Sequence, residues 1–364
     1  MNPRILIHLL ISSFVAGLLL IGCGSDDPPP VGGTDNEVVV KAVTSAPNLG
    51  DIVNDPVWDD VDVASIRVGA DSIYTDYFGV GVVRVQAIQD GANVYMRFNW
   101  VDANKTDQPG RWLFDVPGQS SAFSQLLDTV KNKFGNFAYS SLEKEQQLWE
   151  NEDVLSIFFS MGNGSVGANC ALTCHSADGD TTFTGREHFT QGNGNIDCWV
   201  WRAGRTDPYS VAEDYYWRDN GKYDDYDSLI DNLYLRNSLT SDNVSDPRLM
   251  HINGSEYTGS LLEATDTTTL LYIGQAWERG DGLPGYIHFP GFRATNASRW
   301  DVNAKSEFDP QMGRWNLVLW RSLAAPHSGD DVTFTVGNSY EATLAIMKNT
   351  QKRHSGSQPF TIKF

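Results

Sequence analysis

Two cysteines and a histidine form the most informative motif of the chain. Cys170 and Cys174 are separated by three residues, and His175 follows directly. Covalent haem attachment uses this set of side chains, because two thiols form thioethers with the porphyrin vinyl groups and the adjacent imidazole binds the iron. The usual spacing has two residues between the cysteines. The motif predicts one covalent haem c, attached to Cys170 and Cys174, with His175 as the proximal iron ligand.

The N-terminal residues predict export. Arg4 precedes an apolar stretch over residues 5–20, as in a signal peptide. Residues 20–23 (LIGC) then resemble the lipobox of bacterial lipoproteins, in which the cysteine is diacylated and becomes the new N terminus. We expect residues 1–22 to be the signal peptide, Cys23 to carry the lipid, and residues 23–36 to be a flexible tether. A plain secretory signal and an uncleaved anchor are the alternatives.

The residue after Cys23 indicates the destination. Gly24 follows the cysteine, and no adjacent aspartate favours retention at the inner membrane. The sequence therefore predicts an outer membrane lipoprotein, held at the periplasmic or cell-surface face by its N-terminal lipid anchor.

The remaining cysteines leave other chemistry open. Cys170, Cys174 and Cys198, together with His175 or His188, could bind zinc. Exported thiols also form disulfides, but Cys170 and Cys174 would close a very short loop. We interpret Cys198 as a small, buried apolar residue.

The charge of the chain limits its partners. It has 27 Lys and Arg against 46 Asp and Glu, for a formal net charge of −19. Such acidity argues against binding to nucleic acid or to anionic lipid, and it suits the steering of a basic redox partner protein. The sequence contains no Gly-x-Ser-x-Gly or His-Glu-x-x-His motif. These observations favour an electron carrier over an enzyme.

Alternating apolar and polar residues predict β-strands. In residues 94–100, Val, Met, Phe and Trp alternate with Tyr, Arg and Asn, and residues 315–319 and 332–336 have the same period. Further strand candidates are residues 153–161, 196–202 and 267–275, and residues 311–313 predict a hairpin turn.

Helical patterns are few, at residues 122–131 and 142–150. Many strands with few helices favour an antiparallel β-sandwich. Two long stretches, residues 162–195 and 203–263, have no regular pattern, and the first contains the haem motif. We predict a mainly β protein, an antiparallel β-sandwich with short helices and long haem-binding loops, in one haem-binding domain over residues 37–364.

Four residues after the motif are candidates for the haem pocket. Trp199 and Trp201 alternate with Val200, so both rings face one side of a predicted strand and could pack on the porphyrin. Arg202 and Arg205 could pair with the haem propionates, because a guanidinium binds carboxylates in a bidentate manner. Ordinary core packing of the rings and ion pairing with the many carboxylates are the alternatives.

Six segments occur in an order that is informative as a set: 55–60 (DPVWDD), 94–102 (VYMRFNWVD), 152–159 (EDVLSIFF), the 170–175 motif, 197–206 (DCWVWRAGRT) and the tail from 345–347 (AIM) to 353–354 (RH). Together they resemble the haem-binding domain of the ethylbenzene dehydrogenase type, from about residue 40 to residue 364. This domain is the gamma subunit of enzymes in the dimethyl sulfoxide reductase family, and related cytochromes stand alone. The resemblance implies a β-sandwich that buries one haem at its edge and transfers electrons.

The chain departs from the enzyme subunit at the haem. That subunit binds haem b without covalent bonds, between a methionine and a lysine, whereas this chain has the covalent motif of the stand-alone relatives. The resemblance implies His354 as the distal iron ligand. Met161, Met347, His188 and an open coordination site are the alternatives, and a methionine ligand would raise the reduction potential relative to two histidines.

The sequence thus predicts a lipid-anchored monohaem c-type cytochrome that transfers single electrons between redox partner proteins. Two other classes remain open. One is the haem subunit of a multi-subunit molybdenum oxidoreductase. The other is a non-redox module of the carbohydrate-binding type, which the aromatic-rich composition would suit.

Overall fold

The structure is a computed structural model, and all the residues that it describes lie in one compact unit, 34–364. The described residues are 36–69, 81–110, 112–115, 136–139, 152–161, 195–218, 221–223, 234–237, 250–251, 262–263, 267–268, 282–283, 285–288, 298–348 and 355–364. Both predicted helices, residues 122–131 and 142–150, lie outside these ranges. In the part of the chain that is described, no helix is long and apolar enough to span a bilayer.

Strands dominate the described residues, as predicted. They are β1 (Glu37–Ala42), β2 (Ala64–Val68), β3 (Gly81–Gln89), β4 (Asn93–Val101), β5 (Trp112–Asp115), β6 (Asn136–Tyr139), β7 (Val154–Met161), β8 (Asn195–Arg202), β9 (Glu213–Arg218), β10 (Gly221–Tyr223), β11 (Tyr234–Arg236), β12 (Met250–His251), β13 (Leu262–Glu263), β14 (Thr267–Thr268), β15 (Gly282–Leu283), β16 (Tyr286–His288), β17 (Asn303–Asp309), β18 (Arg314–Ser322), β19 (Ser339–Met347), β20 (Ser355–Gly356) and β21 (Phe360–Lys363). Short 3-10 helices occupy Leu49–Asp51, Pro56–Asp60, Asp207–Tyr209 and Ser298–Trp300.

One large sheet forms the frame, in the order β10-β9-β8-β7-β19-β21-β1-β3-β4-β18-β17, with β2 beside β3 and β20 beside β19. Strand β1 joins its two halves: Glu37–Val39 pair with β21, and Val40–Ala42 pair with β3. Both pairings of β1 are parallel, whereas the neighbouring pairs β3–β4, β4–β18, β7–β8 and β7–β19 are antiparallel. The sheet curls, and its two halves form a sandwich-like β fold.

The main core lies between the two halves. Leu155 and Ile157 of β7 pack there with Val83 and Val85 of β3, and all four are fully buried. The rings of Trp201 and Trp315 meet across this core with centroids 5.1 Å apart. Burial of such large apolar surfaces supplies most of the driving force for closing the sandwich.

The alternation in residues 94–100 is confirmed as β4, whose Val94, Met96, Phe98 and Trp100 are buried in this core. The predicted strands at 153–161, 196–202 and 315–319 are confirmed as β7, β8 and β18. The predicted turn at 311–313 joins β17 and β18. Gly313 has a φ of 56°, which glycine adopts without the steric cost of a side chain.

Two predictions need revision, and a third is described only in part. Residues 332–336 are not a strand, because their backbone bonds leave the sheet: the Val332 N–H donates to the Asp197 carboxylate, and the Phe334 N–H donates to the Leu323 carbonyl. Residues 203–263 are not one irregular stretch, since β9 to β13 lie there. Of the predicted strand at 267–275, only Thr267–Thr268 is described, as β14.

Candidate functional site

The predicted haem loop begins and ends at one point of the sheet. Met161 is the last residue of β7, Asn195 is the first of β8, and the two are paired across the hairpin. Residues 162–194 connect them, and Cys170, Cys174, His175 and His188 belong to this segment, outside the described residues. Cys23 and His354 also lie outside the described ranges.

A groove of about 670 Å³ lies beside the Met161 end of β7. The residues that line it come from β7, from the segment between β18 and β19, and from the start of β19: Ser160, Met161, Ser328, Asp331, Val332, Thr333, Gly337, Asn338, Ser339, Tyr340 and Glu341. Most of these side chains are polar. The groove therefore combines a polar wall with a methionine that directly precedes the predicted haem loop.

The chemistry of Met161 fits one coordination position of a haem iron. Its thioether is a soft donor of the kind that binds haem iron. The side chain is half-buried and packs on the main core, so its position is fixed by the sheet. Another methionine, Met347 of the neighbouring strand β19, lies beside the opposite end of β7, where it is paired with Val154.

The two tryptophans of β8 face one side of the strand, as predicted. Trp199 packs on Phe159, with ring centroids 4.9 Å apart, and Trp201 packs on Trp100 at 5.9 Å. Both side chains are fully buried by protein. The structure thus gives them the core packing that the sequence left open as the alternative, and their contact with haem stays a prediction.

Arg205 is held in a buried ion pair with Glu152. Its Nε and Nη2 donate to Glu152 Oε2 at 2.9 and 2.6 Å, and its guanidinium carbon lies 5.2 and 5.0 Å from the ring centroids of Tyr234 and Tyr286. Burial by itself would lower the pKa of Arg205, but the Glu152 carboxylate raises it overall. Arg205 is a fixed cation whose strongest contact is Glu152, so a haem propionate would compete with this carboxylate.

Arg202 belongs to a second buried network, centred on Glu213. Arg202 donates to Glu213 Oε2, Arg299 donates to Oε1 at 2.6 Å, and the Tyr234 hydroxyl donates to the same oxygen at 2.8 Å. Two guanidinium groups thus share one carboxylate. Burial opposes the charge and would lower the pKa of Arg202, but the charge on Glu213 raises it well above its usual value.

His288 is a buried imidazole that the sequence analysis did not single out. It is fully buried, and its ring lies 4.2 Å from that of Tyr209, centroid to centroid. Burial, reinforced by the charge on Arg205, lowers the pKa of His288 to about 3, so the ring is neutral. Its only sequence signal is the alternation with Tyr286 on a short strand.

The interpretation of Cys198 as a small, buried apolar residue agrees with its position. It is fully buried in a cluster with Val154, Phe158 and Trp217, on the face of β8 opposite the two tryptophans. This cluster lies outside the main core.

These features define a sandwich-like β protein in which a segment with the Cys-x3-Cys-His sequence connects two neighbouring strands, β7 and β8. The family model described as ethylbenzene dehydrogenase matches residues 55–358, so the chain belongs to the ethylbenzene dehydrogenase family. No curated protein matches the chain.

Two solved structures show a weaker likeness. A protein from Bacteroides uniformis described as carbohydrate-binding is 10% identical, with a TM-score of 0.35, over 89% of this chain and 90% of that one. A family 9 carbohydrate-binding module from Caldicellulosiruptor kristjanssonii, in complex with cellotriose, is 8% identical, with a TM-score of 0.32, over 90% and 92%. At these scores the likeness says nothing about the ligand of this chain.

Proposed function

We propose that the protein is a lipid-anchored, monohaem c-type cytochrome that transfers single electrons between redox partner proteins at the outer membrane. The observation that carries the proposal is the Cys170–Cys174–His175 set, within a segment whose ends meet at Met161 and Asn195. Membership of the ethylbenzene dehydrogenase family supports it, because the sequence resemblance implies a haem pocket on this fold.

When bound, haem supplies a one-electron redox couple, and the chain provides its setting. Cys170 and Cys174 would hold the porphyrin, and His175 would bind the iron on one side. Met161 and His354 are the candidates for the other side. The net charge of −19 would favour docking of basic donor and acceptor proteins, and this attraction would weaken with salt.

The deciding experiment expresses the full chain together with a cytochrome c maturation system. We expect a pyridine haemochrome spectrum with two thioether bonds and a mass increase of one haem that survives denaturation. The Cys170→Ala/Cys174→Ala double variant should lose the covalent haem. Cys198→Ala is the matched control and should keep it, since Cys198 is buried away from the main core. A colourless wild-type protein without bound iron would overturn the proposal.

Lipid attachment is tested separately. Cys23→Ala should move the protein from the membrane fraction to the soluble fraction and remove the acyl mass. Full membrane association of this variant would contradict the lipid anchor and favour an uncleaved one.

Family membership also favours a second candidate, the haem subunit of a multi-subunit oxidoreductase. Purification from the native membrane distinguishes the two. A co-purifying molybdenum protein would support the subunit, whereas a monodisperse cytochrome with reversible redox behaviour would support the stand-alone carrier.

A further inference from the structure

Three carboxylates surround one guanidinium inside the sandwich. Arg321 Nη1 donates to Asp214 Oδ2 at 2.8 Å and lies 3.5 Å from Asp331 Oδ1. Arg321 Nη2 donates to Asp197 Oδ2 at 3.1 Å and to the Val332 carbonyl at 2.6 Å. The four charged groups form one buried cluster, named here the Arg321 cluster: Asp197, Asp214, Asp331 and Arg321.

The strand register brings these groups together. Asp197 of β8 pairs with Tyr216 of β9, and Trp199 pairs with Asp214, so the two aspartates are diagonal neighbours on the core face of one half of the sheet. Arg321 comes from β18 in the other half, two residues after the buried Leu319 on the same face. Asp331 comes from the segment that follows β18.

The charges of this cluster do not balance. Asp197, Asp214 and Asp331 are exposed by 0%, 2% and 3%, and Arg321 is the guanidinium that pairs with them. Among the described residues His327 also lies beside Asp331, but its ring is paired with Asp301, 3.0 Å away, so it balances a carboxylate outside the cluster. Buried charge without a counter-charge is strongly unfavourable, so a native cluster with an excess of two negative charges calls for bound protons or for a cation.

Each carboxylate also keeps one oxygen without a hydrogen bond. Asp197 Oδ1, Asp214 Oδ1 and Asp331 Oδ2 are buried atoms with no hydrogen-bond partner in the described structure. Buried polar atoms are nearly always satisfied, so three unsatisfied oxygens in one cluster indicate a missing ligand. Ordinary ion pairing with Arg321 leaves them unexplained, since it engages the other oxygen of each group. A proton shared between the carboxyl groups of Asp197 and Asp214 would satisfy those two groups but would leave Asp331 Oδ2 without a partner.

We propose that Asp197, Asp214 and Asp331 bind a hard divalent cation, with Ca²⁺ as the best-fitting ion. One ligand oxygen from each carboxylate lies within 4.8 Å of the others. Ca²⁺ accepts carboxylate oxygens in a flexible geometry, whereas Mg²⁺ demands near-ideal octahedral geometry and keeps several waters, which suits a buried set of three carboxylates less well. A divalent ion would also cancel the excess charge of the cluster.

The ion has a route to this site. Asp331 and Val332 line the groove beside Met161, so one ligand of the buried cluster lies on the wall of a groove large enough for hydrated ions. The site is independent of the haem proposal, because none of its residues belongs to the haem-attachment motif.

Protonation of the aspartates is the alternative way to remove the excess negative charge of the Arg321 cluster. Burial, reinforced by the Asp197 carboxylate, raises the pKa of Asp214 well above its usual value. Burial also raises the pKa of Asp331 to about 8, where Arg321 lowers it and Asp197, Asp330 and Asp301 raise it. Because the ion requires deprotonated ligands, binding should strengthen as the pH rises towards 8 and above.

The test measures Ca²⁺ binding by the full-length protein after treatment with EDTA. We expect equilibrium dialysis at pH 8 to give about one bound Ca²⁺ per chain, and saturating Ca²⁺ to raise the melting temperature by roughly 3–5 °C. Mg²⁺ in a parallel arm should bind more weakly. Asp331→Asn should lose both effects, while the neighbouring Asp330→Asn, which changes the same charge nearby, should keep them.

Two outcomes would overturn the proposal. One is a wild-type protein that binds neither ion at millimolar concentration and melts at the same temperature with and without it, which would assign the cluster to protons. The other is Ca²⁺ binding that Asp331→Asn leaves unchanged, which would place the ion elsewhere. If Asp331→Asn does not fold, Asp214→Asn is used in its place. The measurement on the wild-type protein tests in either case whether the ion binds.

Discussion

Met161 and Asn195 close the β7–β8 hairpin as its terminal pair, so the predicted haem loop leaves and returns at one end of the sheet. The other end of β7 begins at Val154. There Ile346 of β19 pairs with Leu155 on one edge and, on its other edge, with Ser355, the residue that directly follows His354 in the chain. The eight residues of β7 span about 23 Å at ~3.3 Å per residue. One iron cannot contact residues at both ends.

This separation yields a first prediction, about the distal ligand. Met161→Leu should abolish the weak far-red absorption band of a methionine-ligated haem and lower the reduction potential, because a thioether ligand raises it. His354→Gln should leave both unchanged. Potentiometry and visible spectra of the two variants measure the effect, and the reverse pattern would assign His354 as the ligand and place the iron towards the start of β7.

The sequence predicted much of the frame because its buried strands alternate cleanly. In β4 and β18, every second residue enters the main core, and a two-residue period is visible without a structure. The parallel pairing of β1 was not predicted, because the alternation of side chains in Glu37–Ala42 is the same for a parallel and an antiparallel strand. Residues 332–336 alternate as well, but they do not pair with a strand. The Val332 carbonyl accepts a hydrogen bond from Arg321, and the Val332 N–H donates to Asp197.

The Arg321 cluster was missed for a related reason. Asp197 alternates with Trp199 and Trp201, so the pattern alone places an acidic side chain on the core face of β8. That signal could have been found. The other members of the cluster lie 17 or more residues away in the sequence, on β9, on β18 and in the segment after β18. The β8–β9 register and the curl of the sheet bring them together.

A second prediction concerns Gly204, in the segment that follows β8. A Cβ at this position would lie 2.4 Å from Pro109 Cδ and 2.5 Å from the Asp107 carbonyl oxygen, contacts that backbone movement alone could relieve. Gly204→Ala should therefore lower the free energy of unfolding by about 2–4 kcal/mol, in the range of severe overpacking. The matched control is Gly329→Ala, where a Cβ meets nothing within 4 Å. Chemical denaturation compares the two variants. Equal free energies of unfolding would show that the backbone of residues 107–109 moves aside at little energetic cost.

A third prediction concerns the Arg205–Glu152 pair. Arg205→Met removes the partner of a fully buried carboxylate, so the free energy of unfolding should fall by about 3–5 kcal/mol. Adding Glu152→Gln to this variant should recover part of the loss, because the uncompensated charge is removed. Lys363→Met provides the control, since its pair with Glu37 is exposed and should contribute at most about 0.5 kcal/mol. If the losses in the free energy of unfolding caused by Arg205→Met and by Glu152→Gln simply add in the double variant, the two side chains do not stabilise each other and the prediction is wrong.

The fourth prediction is a pH dependence set by Asp102. Burial raises the pKa of Asp102 to about 6, the Asp153 carboxylate adds to this effect, and Lys348 opposes it. Between the ordinary aspartate pKa of 3.8 and about 6, the folded protein holds a proton that the unfolded chain has released. The folded state then binds more protons, so its stability falls as the pH rises through this window.

Asp102→Asn should reduce the decrease in the free energy of unfolding between pH 4 and pH 6. Above pH 6 the variant should be more stable than the wild type by on the order of 2 kcal/mol. Below about pH 4 both proteins carry a neutral side chain at this position, and their difference should shrink. Asp62→Asn, at an exposed position, should follow the wild-type curve at every pH. Unfolding in denaturant between pH 4 and pH 8 measures all three proteins, and parallel curves for the wild type and Asp102→Asn would mean that water or a cation already compensates the Asp102 carboxylate in the folded state.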